Sequence, residues 1–382
     1  MKKLIIAITA MIALACTGNR ETKAAEGSDG GDAKKDVYVL GYAQDSTRTN
    51  KSEEFSEGQP FDVVYWKNGI ATNIVEETGI PDGYNDFHTK DMIAIDGKLA
   101  FLGIARHEQD YDFDFFVWKD GKFTKLEGGS GVNNPMMVDI GGEIAVLGCI
   151  QKDDNEGAIV LSPVMWDKNG KHKTLDMGEY YNCDLHNVCV SDGDVYACGR
   201  VYNGDNNKGI GAIWKNGRLT TYGAPEGRTT MFGFTAICVS GNDVYAAMPY
   251  NSDKPNAQDL ALWKNGRIIE TLVKGGELPI AYCMAISGND VYVGGCENIY
   301  TDNSNIYTKS LPRIWKNGKA MTIDEGEGLG YVSYMTVDEN TVYACGNLDF
   351  YGVLWTNGKH KKLPGANGQA ATQKVVVLPA KR

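Results

Sequence analysis

Several kinds of chemistry are missing from this 382-residue sequence. It has no C-x-x-C pair, so neither a zinc site nor a redox dithiol is suggested. The five histidines are His88, His107, His172, His186 and His360, and they show no metal-ligand spacing. No nucleophile motif occurs, and no two carboxylates recur as the facing pair that glycoside hydrolysis needs. Positive charge is in deficit: 38 Lys and Arg stand against 49 Asp and Glu, a formal net charge of −11 without a basic stripe. That balance argues against nucleic acid and anionic lipid surfaces as partners. No helical period is found, and the only long apolar run, Leu4 to Leu14, is too short to span a bilayer.

That run follows Lys2 and Lys3 and ends in Ala13-Leu14-Ala15-Cys16, the pattern of an export signal. A Cys after a small residue resembles a bacterial lipobox, although Ala13 stands where Leu is usual. The resemblance implies removal of residues 1–15, lipidation of Cys16 and contact with the membrane only through this N-terminal lipid anchor. Thr17 after the Cys implies, by the same sorting rule, an outer-membrane lipoprotein facing the periplasm or the cell surface. The alternative is a plain secretory signal with an incidental Cys16. Residues 17–35 hold Gly, Ala, Ser and charges without a large apolar side chain, and read as a flexible tether. The folded domain is therefore expected over 36–382, as one monomeric unit.

Eight cysteines follow Cys16. Cys189, Cys198, Cys238 and Cys345 fall in apolar strands, where Cys serves as a small hydrophobe, so mostly free buried thiols are expected. Cys149 with Cys183 is the first pair to test for a disulfide, because the repeat places both on one face.

What is present is repetition. All seven tryptophans, Trp66, Trp118, Trp166, Trp214, Trp263, Trp315 and Trp355, stand in copies of one motif, WKNG in its commonest form, at spacings of 40 to 52 residues. A second motif also recurs seven times: DVYVLG (36–41), KLAFLG (98–103), EIAVLG (143–148), DVYACG (194–199), DVYAAM (243–248), DVYVGG (290–295) and TVYACG (341–346). Residues 233–272 show the whole unit: FTAICVS, a turn, VYAAM, a polar loop, LALWK, the hairpin pair NG, then RIIETL. Four short antiparallel strands at this period make the blade of a β-propeller. The domain begins at a second strand, Asp36, and ends on an orphan first strand, QKVVVL (373–378). Each defect completes the other. The sequence thus predicts an all-β, seven-bladed propeller closed by its C-terminal strand, which removes the exposed sheet edges. Identical placement in every blade assigns the tryptophans to packing against the next sheet, with Lys67, Lys119 and Lys215 beside them in solvent. The combination resembles tandem-repeat lipoproteins of Gram-negative bacteria built on a "VYVAG…WKNG" unit. The resemblance covers 36–382, implies this architecture, and carries no catalytic residue with it.

In such a ring the loops from strand four to the next strand one, and from strand two to three, share one face. Here they are long: 42–60, 76–88, 104–113, 149–160, 176–184, 200–210, 223–232, 249–259, 296–311 and 324–330. The other face carries tight turns, so function is expected on the long-loop face. Aligned on their turns, the first strands give an apolar column from Met92 to Met335. Before it runs Asp91, Met136, Asn187, Ala236, Cys283, Tyr334, and before that Lys90, Pro135, His186, Thr235, Tyr282, Ser333. With His88, Tyr180, Tyr181, Asp184, Phe232, Phe234 and Tyr331 these form an aromatic and polar rim; the competing reading is rings capping the channel. The candidate ligand residues are Lys90, Asp91, Asp184, His186, Phe234, Tyr282 and Tyr334.

The leading expectation is a non-catalytic binding module of the cell envelope, its ligand a glycan or an envelope or extracellular protein at the channel mouth. The alternatives are a polysaccharide hydrolase or lyase using Asp91, Asp184, His186 and Tyr282, and a structural subunit of an envelope complex. The one cofactor suggested is calcium. Asp110, Asp112 and Asp114 alternate along QDYDFDFF, and NGDNNKG (203–209) faintly resembles an oxygen-ligand loop; solvated acidic loops are the plainer reading.

Overall fold

The turns organise the chain. Asn68, Asn216, Asn265, Asn317 and Asn357 take φ of 47 to 53°, and the glycine after each takes 79 to 87°. Two consecutive positive φ values give the hairpin turn whose twist matches that of its strands, and Asn-Gly adopts it at least cost. In the computed structural model the described residues are 35–44, 61–109, 112–153, 159–203, 209–225, 227–300, 307–365 and 370–380. Residues 1–34, with the export signal, Cys16 and nearly all of the tether, lie outside them.

Seven four-stranded antiparallel sheets result. Blade I combines Ala370–Pro379, Lys35–Gln44, Phe61–Lys67 and Ile70–Asn73. Blades II to VII follow at 88–125, 132–174, 182–222, 236–276, 278–320 and 330–362. Each inner strand packs on the next in ring order, and Ala370–Pro379 packs on both Gly330–Asp338 and His88–Ile95. Its register pairs Asp36 with Leu378 and Gly41 with Thr372. The C-terminal strand therefore closes the seven-bladed ring. It is longer than the 373–378 read from sequence, because Ala370 to Thr372 pair with Gly41 to Ala43. Among the described residues one α-helical turn, Ile74–Thr78, and one 3-10 turn, Gly129–Gly131, break the all-strand expectation; the Asn73 side chain caps the first by accepting from Val75 N at 2.9 Å.

All seven tryptophans are at most 9% exposed. Four indole N–H groups also donate to the linker before their own blade: Trp66 to Pro364 O, Trp166 to Glu127 O, Trp214 to Asp176 O and Trp355 to Asp324 O, at 2.7 to 2.9 Å. Each such ring buries on the order of 200 Å², so about 5 kcal/mol of transfer free energy is an upper bound per site.

Two of the lysines beside them are exposed, as expected, and are also paired. Lys67 and Lys215 pair with Asp36 and Asp194 at 2.7 and 2.8 Å, as Lys264 and Lys316 pair with Asp243 and Asp290. Each ammonium also lies over the tyrosine two residues after its aspartate, 5.1 to 5.6 Å from the ring centre. The turn asparagines complete the clamp: Asn216 Oδ1 accepts from Val195 N at 2.8 Å and its Nδ2 donates to Asp194 at 2.6 Å. Lys119 pairs instead with Asp96 at 3.2 Å.

Candidate functional site

On six inner strands the ladder skips a residue near the long-loop end. Lys90, His186, Tyr282, Ser333 and Gln373 each stand unopposed between paired neighbours, and blade III skips Asn134 and Pro135. Such β-bulges bend a strand and re-aim a side chain. The glycine ending each second-strand motif makes room for them. A Cβ on Gly199, Gly295 or Gly346 would fall 1.8 to 1.9 Å from the carbonyl oxygen of Asp184, Ile280 or Tyr331. Blade V carries Met248 at that place, and its inner strand pairs only from Ala236 onward.

Two groups of predicted residues gather at the bulge level. In the first, Asp184 accepts from Arg200 Nε at 2.5 Å, while Arg200 also donates to Met231 O and lies 4.7 Å over the Tyr202 ring. His186 Nδ1 is 3.0 Å from Phe234 O. A carbonyl only accepts, so in the neutral ring Nδ1 carries the proton and Nε2 is the acceptor. Burial, which outweighs the Asp184 charge, lowers the His186 pKa and favours this neutral form. Asn187 Nδ2 reaches across to Tyr282 O at 3.5 Å, linking blades IV and VI. Tyr282 is 37% exposed, and its ring centre lies 5.9 Å from that of Tyr331. Tyr181 and Met231 are exposed on the loops that enter blades IV and V.

The second group joins blades VII, I, II and III. Asp91 is 6% exposed and saturated: Oδ1 accepts from Met92 N at 2.8 Å and Lys374 Nζ at 2.6 Å, and Oδ2 accepts from Met137 N at 2.7 Å. Lys374 also lies 5.0 Å over the Tyr334 ring. Burial, the largest single influence, would lower the Lys374 pKa; the charge and hydrogen bond of Asp91 together with the Tyr334 and Cys345 contributions outweigh it and raise it. Lys90 is exposed, with Tyr42 OH 3.4 Å from its Nζ. Gln373 reaches the same hydroxyl at 3.5 Å.

Phe234 is corrected. It is 1% exposed, edge-on to Tyr222 and Trp263 at 5.6 and 5.5 Å, and serves the core between blades IV and V. It contributes a carbonyl to His186 and no ring to a ligand. Gln373, Lys374, Tyr42 and Arg200 were missed by the sequence reading. Extending the two columns onto QKVVVL would have placed Gln373 beside Lys90 and Lys374 beside Asp91. Tyr42 and Arg200 each follow the second-strand glycine.

Asp114 departs from the reading of 110–114 as a solvated acidic loop. Asp114 is buried, and its Oδ2 receives Lys125, Tyr84 and His107 at 2.6 to 2.8 Å. Burial would raise its pKa; these three donors outweigh burial and hold it low. Asp110 and most of 203–209 lie outside the described residues, and among the described residues no three His, Cys, Asp or Glu side chains gather as metal ligands.

A cleft of about 330 Å³ opens away from these groups, on the tight-turn side between blades II and III, floored by Val117, Leu126, Ile144 and Val146. Blade II has Ala100 where blades I, IV, V and VI place the clamp tyrosine.

No protein-family model matches this chain, and no curated protein matches it. Among solved structures, YjhT is similar over 78% of this chain and 99% of its own, at 13% identity and TM-score 0.41. The β-propeller domain of the Trilobed protease from Pyrococcus furiosus is similar over 73% of this chain and 83% of its own, at 10% identity and TM-score 0.46. Acylaminoacyl peptidase from Pyrococcus horikoshii is similar over 74% of this chain and 46% of its own, at 12% identity and TM-score 0.45. The assignment of the fold rests on the sheet topology, and these likenesses bear on neither ligand nor chemistry.

Proposed function

We propose that this chain is a non-catalytic binding module of the cell envelope, held to the outer membrane by a lipid on Cys16, and that it engages a glycan on its long-loop face. One observation carries the reading. The framework positions repeat, whereas the bulge position holds lysine, proline, histidine, tyrosine, serine and glutamine in successive copies. Packing asks for the same residue in every blade; recognition of one asymmetric ligand asks for different ones. The sector of blades IV to VI suits a sugar best. Tyr282 offers an exposed ring face, His186 Nε2 an acceptor for a hydroxyl, and Asp184 with Arg200 a charged pair beside them.

The test is a thermal-shift screen of the protein against polysaccharides and oligosaccharides, each with calcium and with chelator. A ligand that binds only the native state raises the midpoint. One glycan class is expected to do so, and Tyr282→Ala is expected to weaken that glycan about tenfold through lost stacking. A flat screen with every glycan, together with a protein recovered by crosslinking, would replace the glycan by a protein partner.

A further inference from the structure

Blades III and IV share a pair of thiols. Cys149 follows the second-strand glycine of blade III, and Cys183 lies on the inner strand of blade IV, 34 residues later. Their sulfurs are 3.6 Å apart, and the side chains are 1% and 0% exposed. Of the eight described cysteines, no other two are in sulfur contact. They belong to an apolar cluster with Leu147, Leu185 and Val201, and Cys183 Sγ also reaches the Leu161 carbonyl at 3.5 Å. A 3.6 Å separation is a van der Waals contact, which a disulfide would close to about 2.05 Å.

We propose that Cys149 and Cys183 form a disulfide that staples blade III to blade IV. The inference rests on the exported location proposed above, because such bonds persist only in an oxidising compartment. The oxidant is a disulfide-bearing oxidoreductase or small disulfide. One cysteine thiolate attacks it and expels a thiolate, giving a mixed disulfide. The second cysteine, losing its proton, attacks that bond and expels the other thiolate. Two thiols have then lost two electrons and two protons, and the oxidant has become a dithiol or, for a small disulfide, two thiols. The exchange belongs to folding, before the blades close. Once they have closed, the hydrogen bond between the thiols and their burial push the Cys183 thiol far above its ordinary pKa, and neither sulfur meets solvent. The staple closes a loop within the ring and restrains the unfolded chain.

The experiment starts with the full-length protein isolated from its own cells. It is denatured without reductant, alkylated, digested and read by mass spectrometry. Residues 149 and 183 are expected in one cross-linked peptide, with the other six described cysteines alkylated. A parallel sample is reduced, unfolded and refolded in a glutathione redox buffer, which supplies the oxidant whatever the compartment. A linked peptide in both samples supports the staple. A linked peptide only after refolding supports the pairing and overturns the exported location. Free, alkylated Cys149 and Cys183 in both overturn the proposal. Reductant is also expected to lower the thermal midpoint of the linked protein by roughly 5 °C, and to leave the midpoint of Cys183→Ser unmoved.

Discussion

Gly199 shows what a single residue must do here. Its φ is ordinary, so the requirement is space: the second strand passes so close to the Asp184 carbonyl that a methyl group has no room. Gly199→Ala is expected to cost about 3 kcal/mol by chemical denaturation, an overpacking penalty at the upper end of the usual range. It is also expected to displace the bulge at His186. A loss below about 1 kcal/mol would mean that the inner strand shifts freely. The tryptophans were legible from sequence, because seven identical placements leave packing as the economical explanation. Of the lysines beside them, Lys67 and Lys215 stand in solvent as read, but their ion pairs went unseen. Their partners stand 21 to 31 residues earlier, and only the co-occurrence of D-V-Y with W-K-N-G in blades I, IV, V and VI would have paired them. Phe234 was misread for another reason. The loop before blade V turns inward at Gly233, whose φ is 65°, and a rim position becomes a core one.

Among elements, the Asp–Lys–Asn clamp ties the start of a second strand to the turn between strands three and four. Hydrogen bonds from lysine first and asparagine second hold the Asp36, Asp194, Asp243 and Asp290 carboxyls below the usual aspartate range. A carboxylate with a depressed folded pKa adds stability that is complete above its unfolded value, near 4, and is lost as pH falls through the folded value. The thermal midpoint is therefore expected to be insensitive to these groups between pH 7 and 5 and to fall below about pH 4. Replacing all four aspartates by asparagine should flatten the acid limb. An unchanged limb would place the acid sensitivity elsewhere. The closing strand has its own tie. Lys374 and Asp91 are a nearly buried pair, so removing one partner costs more than removing both. Lys374→Met is expected to lose about 3 kcal/mol. The double variant with Asp91→Asn should lose less than the sum of the two single losses; strict additivity would show that the pair is not coupled. The closing strand was legible because an incomplete first blade and an orphan last strand require each other. The places of Gln373 and Lys374 on it were missed, since QKVVVL carries no turn of its own on which to align it.

At the scale of the molecule, seven near-copies divide into a framework that repeats and one ring of positions that does not. The framework was written in the sequence as motif and spacing. The ring was present there as a column, but its nature was not, because a bulge leaves no composition signal and appears only when strands are laid in register. The account stands or falls on that ring being the contact surface. The most direct measurement is hydrogen exchange of the protein with and without the glycan that raises its midpoint, resolved to short peptides. The account predicts slowed exchange at 180–187, 229–235 and 278–284, where Asp184, His186, Met231 and Tyr282 stand, and unchanged exchange at the tight turns. Protection confined to the tight-turn side, around the cleft between blades II and III, would contradict it.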